Sequence, residues 1–148
     1  MKYKVLDLFS GAGGMSEGFL QAGFIIPFAS DLSEQAAQTY QHRHHQLGYS
    51  LKYFQGDINE LKKPHILQNF LQDNISCIDV VTGGPPCQGF SLAGKRNSND
   101  IRNQLIHSYI DVLKQVKPKY FVMENVLGIL SAESLDFQGS QKFYKKEK

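Results

Sequence analysis

Cys87 stands in the turn Gly83-Gly84-Pro85-Pro86-Cys87-Gln88-Gly89-Phe90-Ser91, a setting that suits reactivity better than packing. The two prolines fix φ and stiffen the approach to the thiol. Gly83, Gly84 and Gly89 keep the surroundings free of side chains, so a planar ring can come close. A free thiol, with a pKa of ~8.5, is only a few per cent ionised near neutrality, so a nucleophile here needs a site that stabilises the thiolate. The competing reading is a bystander thiol in a loop. Glu124-Asn125-Val126 follows another apolar run, and a carboxyl there can exchange a proton beside the cysteine turn if the two runs are neighbouring strands. Otherwise Glu124 and Asn125 merely cap the next turn.

A second constellation lies upstream. Asp7-Leu8-Phe9-Ser10-Gly11-Ala12-Gly13-Gly14 follows the first apolar run, and glycines there let backbone approach a ligand and start a helix tightly. The pattern is not a full GxGxxG, because Ser16 stands where the last glycine belongs. Asp31 comes 20 residues after Gly11, at the end of a second apolar run, where an acidic group can accept both hydroxyls of a ribose. Asp57, in Gly56-Asp57-Ile58, can accept from an adenine amino group or simply cap a helix.

The elements that must position these residues alternate. Strands are predicted over residues 5–9, 25–29, 51–54, 78–82 and 120–123. Helices are predicted over 15–22 (with Phe19 and Leu20 inward), 33–43 (N-capped by Ser33), 61–72 (with Pro64 as an alternative start) and 104–116. Ile106, Tyr109, Ile110 and Leu113 repeat at helical spacing in the last of these. Units of about 30 residues with short apolar strands define an α/β fold: a doubly wound, mostly parallel, Rossmann-like sheet. Ligands of such folds bind beyond the carboxyl ends of the strands, and all the residues singled out above lie there. Residues 94–103 read as a polar surface loop, residues 127–135 as one further helix, and no strand is expected from Asp136 on.

Composition sets outer bounds. The chain has 148 residues, 41% hydrophobic and 20% charged, which fits one globular domain. No apolar run approaches the ~18 residues of a membrane span, and no secretory signal is apparent, so a cytoplasmic protein is expected. A net charge of +2 neither advertises nor forbids nucleic acid. Lys142, Lys145, Lys146 and Lys148 crowd a tail that reads as solvated. Two cysteines are too few for a disulfide framework, and Cys77, opening an apolar run, reads as a small buried filler. His42, His44 and His45 lack companion ligands at metal spacing and read as the solvated end of a helix. No metal site is expected.

DLFSGAGG, GDI, GGPPCQGFS and MENV, in this order, resemble the C5-cytosine DNA methyltransferase family over residues 4 to about 130. The PPCQ turn is the most specific of these motifs. The resemblance implies S-adenosylmethionine as cofactor and S-adenosylhomocysteine as product, held by Phe9, Gly11, Gly13, Asp31, Leu32, Asp57, Ile58, Pro86 and Leu105. It implies Cys87 as the nucleophile that adds to carbon 6 of a flipped-out cytosine, and Glu124 as the acid at N3. Double-stranded DNA is the implied partner, with Gln88, Ser91 and Arg102 facing it. The family usually has glycine after that arginine, where this chain has Asn103.

Family members are considerably longer. Residues 1–130 therefore read as a partial cofactor and catalytic domain and 131–148 as an unassigned basic tail, in either a truncated product or one part of a split enzyme. In the second case the partner is a polypeptide carrying the target-recognition part. Three rival readings remain: a transfer-RNA cytosine-5 methyltransferase, a non-catalytic fragment or subunit, and, from the glycine turn alone, a nicotinamide dehydrogenase.

Overall fold

A computed structural model describes residues 2–86 and 101–125, with the side chains of 101–103 excepted. Cys87, Gln88, Ser91, the Arg102 side chain, the helix expected at 127–135 and the tail lie outside the described residues.

The strands are β1 (Lys4–Leu8), β2 (Ile25–Asp31), β3 (Lys52–Gln55), β4 (Val80–Gly83) and β5 (Tyr120–Met123). They form one sheet in the order β3-β2-β1-β4-β5, every pairing parallel. The chain builds outward from β1 to β3, then crosses back to lay β4 against the free side of β1. That reversal opens a crevice between the carboxyl ends of β1 and β4, where ligands of doubly wound sheets bind. Register aligns those ends: Leu8 pairs with Gly83, Gly83 with Met123, and Asp31 with Gln55.

Alternation along the strands sorts side chains onto two faces. Leu6, Leu8, Phe28 and Val81 join the larger core with helices α3 (Ile58–Leu61), α4 (Pro64–Leu71) and α5 (Ile101–Val116). Val5, Ile26 and Val80 form the smaller one, against which Phe19, Leu20 and Phe24 pack from α1 (Gly14–Gln21) and its exit. The expected inward placement of Phe19 and Leu20 thus holds. Helix α2 (Glu34–Gln46) starts at Ser33, whose Oγ accepts from the Ala36 amide, so the N-cap is as expected. In α5, Ile106, Tyr109, Val112 and Val116 are the fully buried stripe, with Ile110 and Leu113 beside it half-buried.

Three expectations need correction. The helix expected over 61–72 is two helices and a 3-10 turn. Pro64 occupies the first position of α4, where its missing N–H costs nothing, and Asp57 caps a separate short helix before it. Cys77 is exposed rather than buried, because it ends the 3-10 segment Gln72–Cys77, which fully buries none of its residues; only Ile75 of that segment packs against the core, and full burial resumes at Ile78. His44 is buried at 2% exposure, although His42 and His45 are exposed as expected. Its ring stacks on Tyr40 at 4.4 Å and its Nδ1 lies 3.1 Å from the Tyr40 carbonyl. Burial lowers its pKa, so it does not serve the helix dipole as a cation.

Gly83, paired with Leu8, has no room for a side chain. A Cβ there would lie 2.4 Å from the Leu8 carbonyl oxygen and 3.1 Å from the Tyr109 ring. Neither a strand backbone nor a buried aromatic can yield cheaply. We expect Gly83→Ala to destabilise the fold by about 1–3 kcal/mol through overpacking. An unchanged midpoint in thermal or urea unfolding would show that the two strand ends are looser than this contact requires.

Candidate active site

The glycine turn is built by backbone that few side chains tolerate. Phe9, Gly11 and Gly13 have φ of 53°, 53° and 98°, all left-handed. For Phe9 this is a strained conformation, of the kind that concentrates at functional sites. The Ser10 amide donates to the Ser30 carbonyl, tying the turn to β2, and the Gly13 amide donates back to the Ser10 carbonyl. A Cβ on Gly11 would meet nothing within 4 Å, so the turn presents bare backbone to open space. A Cβ on Gly13 would lie 3.0 Å from the Tyr40 ring, so that glycine is required for packing from below.

Asp31 closes the turn from the side. Its Oδ2 accepts from the Gly11 amide at 2.9 Å and its Oδ1 from the Ser33 amide at 2.9 Å. Each carboxylate oxygen can accept a further bond, so this half-buried group retains capacity toward the crevice. Next to it Leu32 leaves 68% of its surface exposed, an apolar platform at the site's rim. The Gly56 amide donates to the Asp31 carbonyl, which brings the Asp57 turn alongside. Asp57 is exposed and caps α3 by accepting from the Asn59 amide at 2.8 Å. Capping engages Oδ1, so the helix-cap reading is correct and does not consume the whole carboxylate. Ile58 is buried in the core, so its side chain faces away from any ligand, and Leu105 packs half-buried against the same core.

The second strand pair carries Glu124. Its amide donates to the Gly83 carbonyl at 3.0 Å, and Asn125 Nδ2 donates to the Pro85 carbonyl at 3.0 Å. A Cβ on Gly84 would lie 3.2 Å from Glu124 Oε2. Glu124 is thus exposed beside the segment Gly83–Pro86, as the neighbouring of β4 and β5 predicts. Pro85 is buried and Pro86 exposed, and Cys87 is the next residue.

Beneath the glycine turn is a polar cluster that sequence reasoning missed. Asp7, buried near the end of an apolar strand, accepts from Ser16 Oγ of α1, and the Tyr40 hydroxyl of α2 lies 3.2 Å from the same carboxylate oxygen. The Tyr40 and Ser16 hydroxyls also touch each other, and Ser10 Oγ bonds the Tyr53 hydroxyl at 2.9 Å. Burial raises the Asp7 pKa to about 6 against the pull of both hydroxyls, with Asp31 adding to the rise, and pushes Tyr53 up to about 12. One signal was available: a charged residue inside the run Val5-Leu6-Asp7-Leu8 needs a buried partner. Among the described residues no group of histidine, cysteine and carboxylate side chains is arranged to hold a metal, and no helix is long and apolar enough to cross a membrane.

Parallel order with a reversal beside β1 and a glycine turn after β1 define a Rossmann-like, doubly wound fold. The chain belongs to the C-5 cytosine-specific DNA methylase family, whose model matches residues 3–144. It is 43% identical over 128 residues to the Type II methyltransferase M.AgeI of Thalassovita gelatinovora, covering 86% of this chain and 29% of that protein. It is 39% identical over 134 residues to M.FnuDI of Fusobacterium nucleatum, covering 90% and 35%. The chain thus spans about a third of the length of these relatives. A solved structure of a prophage-encoded DNA modification methyltransferase of E. coli superposes with a TM-score of 0.70 at 36% identity, over 87% of this chain and 33% of that one. A carbonyl reductase of Pseudomonas aeruginosa solved with NADP shares the fold alone, with a TM-score of 0.57 at 17% identity, over 82% of this chain and 60% of that one.

The Asp7 shift has a consequence for stability. An acid whose folded pKa is raised from 3.8 to about 6 binds its proton more tightly in the folded state. Stability is then greatest below pH 4 as far as this group is concerned, and falls as pH rises through 6, by roughly 3 kcal/mol. Asp7→Asn retains an acceptor and cannot ionise. We expect wild-type stability minus variant stability to decline between pH 4 and 7 in urea titrations; parallel profiles would mean Asp7 ionises without cost.

Proposed function

We propose that this chain is the cofactor-binding and nucleophile-bearing part of a DNA (cytosine-5) methyltransferase using S-adenosylmethionine. Residues 1–130 form that part and 131–148 a basic tail. The observation that carries the reading is the placement of the open Gly11 turn, the Asp31 and Asp57 carboxylates and Glu124 at the carboxyl ends of one parallel sheet.

In this reading Asp31 accepts the ribose hydroxyls while its amide bonds hold it against Gly11. Asp57 takes the adenine amino group and Leu32 covers the ring. Phe9, Gly13, Pro86 and Leu105 complete the walls, and Ile58 contributes through its backbone. S-adenosylmethionine supplies an electrophilic methyl group. Cys87, as thiolate, bonds to carbon 6 of cytosine while Glu124 gives a proton to N3, and the displaced electron pair makes carbon 5 nucleophilic. Held by the Gly11 turn, Asp31 and Asp57, S-adenosylmethionine would supply the methyl group to carbon 5, and its sulfur would keep the electron pair of the broken bond. Loss of the carbon 5 proton then expels Cys87, and Glu124 recovers its proton from N3. Double-stranded DNA is the substrate, with Gln88, Ser91 and Arg102 toward it, and the base is flipped out to reach Cys87. A second polypeptide carrying the target-recognition part is the partner if the enzyme is split. The protein acts in the cytoplasm.

Asp31→Ala removes a charged acceptor and releases the Gly11 amide. We expect adenosylmethionine affinity to fall by about 1.5–3 kcal/mol, read by calorimetry. Equal affinity would remove Asp31 from the site.

With the target-recognition part supplied, DNA carrying 5-fluorocytosine should be trapped on Cys87, because fluorine does not leave as a proton does. The exposed Cys77, before the opposite end of β4, is the internal control. An adduct found there by peptide mass spectrometry, or full activity in Cys87→Ser, would rule out this mechanism.

A further inference from the structure

Helix α2 touches the glycine turn at two places. At its start Asp31 and Ser33 are joined, and the Asp31 carboxylate holds the Gly11 amide. Two turns further along, Tyr40 is completely buried with its ring under Gly13 and its hydroxyl between Ser16 and Asp7. His44 stacks on the same ring; burial lowers its pKa, and among the described residues its Nε2 has no hydrogen-bond partner. A buried polar atom left unpaired costs free energy, and here it accompanies the stacking that fixes the Tyr40 ring. These contacts join β1, α1 and α2 directly below the turn, where a Cβ on Gly11 would meet only open space.

We propose that Tyr40 is a positioning residue for cofactor binding: its ring and hydroxyl, through Gly13, Ser16 and Asp7, hold the Ser10–Gly14 turn in register with Asp31. The inference rests on the reading of that turn as the adenosylmethionine site, and Tyr40 itself touches no ligand. Ionised Asp7 can accept from both hydroxyls on one oxygen, whereas a protonated carboxyl is a weaker acceptor and one hydroxyl gives way. Asp7 is faced by Ser16 from α1, Tyr40 from α2 and Asp31 from the end of β2, and its charge is felt by Tyr53 of β3 and Tyr109 of α5. Turn order and cofactor affinity therefore fall together as pH drops through about 6.

The test uses Tyr40→Phe, which keeps the ring and removes the hydroxyl. Amide hydrogen exchange at Gly11 and Gly13 without cofactor should accelerate roughly tenfold, the size of one lost hydrogen bond, while β1 and β4 amides keep their protection. Calorimetry should show the Kd for S-adenosylmethionine raised by a similar factor. The low-pH loss of affinity should also move to higher pH, because the phenol hydroxyl holds the Asp7 pKa down. General loosening of the fold would not produce that movement. If Tyr40→Phe fails to fold, Ser16→Ala removes the other hydroxyl from the same oxygen and should give the same local exchange. Unchanged exchange at Gly11 and Gly13, or an exchange increase spread equally over the sheet, overturns the proposal. Failure of the wild-type chain to bind S-adenosylmethionine overturns the functional reading instead, and the exchange measurement still decides the role of Tyr40.

Discussion

A carboxylate buried near the end of the first strand sets the terms for everything above it. Asp7 sits one residue before the end of β1, facing α1 and α2, where alternation would otherwise place an apolar side chain. Its burial opposes its charge, and its pKa is raised accordingly. The hydroxyls of Ser16 and Tyr40 are the compensation, and supplying them requires both helices to come in close. Gly13 is the concession that lets the Tyr40 ring fit beneath the turn. Stability given up at Asp7 above pH 6 thus goes with a turn whose backbone is fixed before any ligand arrives.

The second constraint is the proximity of β1 and β4 at the reversal of strand order. Gly83 admits the Leu8 carbonyl, so the turn after β1 and the turn after β4 open side by side. β5 extends the same row, strapping Glu124 and Asn125 to the segment Gly83–Pro86. Under the proposed function these adjacent strand ends would serve a two-substrate group transfer, with sheet register rather than a flexible arm setting the distance between donor and acceptor. The outer face of β5 leaves Tyr120 71% and Val122 44% exposed, so this side of the described structure carries apolar surface at a sheet edge.

Much of this was legible in the residues. Strand positions followed from short apolar runs, and β5 coincides with the run at 120–123. Ser33 and Pro64 announced helix starts through their own chemistry, a side-chain acceptor and a missing N–H. The acids lie at strand ends because polar groups there face a crevice rather than a core. What the pattern could not give was decided by tertiary contact. The rank of Asp7 as a buried acid depends on two hydroxyls 9 and 33 residues away. His44 reads as one of three polar histidines until Tyr40 is seen to cover it. In the sequence Cys77 opens an apolar run because Ile78 and Val80 follow it, yet the 3-10 turn holds it outside. Asp57 serves as a helix cap, a role sequence alone could not separate from ligand binding.

The central claim is that the carboxyl ends of β1, β2 and β3 hold one adenosyl cofactor against bare glycine backbone. A crystal structure of the chain grown with S-adenosylhomocysteine tests this most directly. The account predicts density over Gly11, with the ribose hydroxyls on the Asp31 carboxylate and the adenine edge at Asp57. Density for the ligand elsewhere, or a ribose turned away from Asp31 toward solvent, would contradict it.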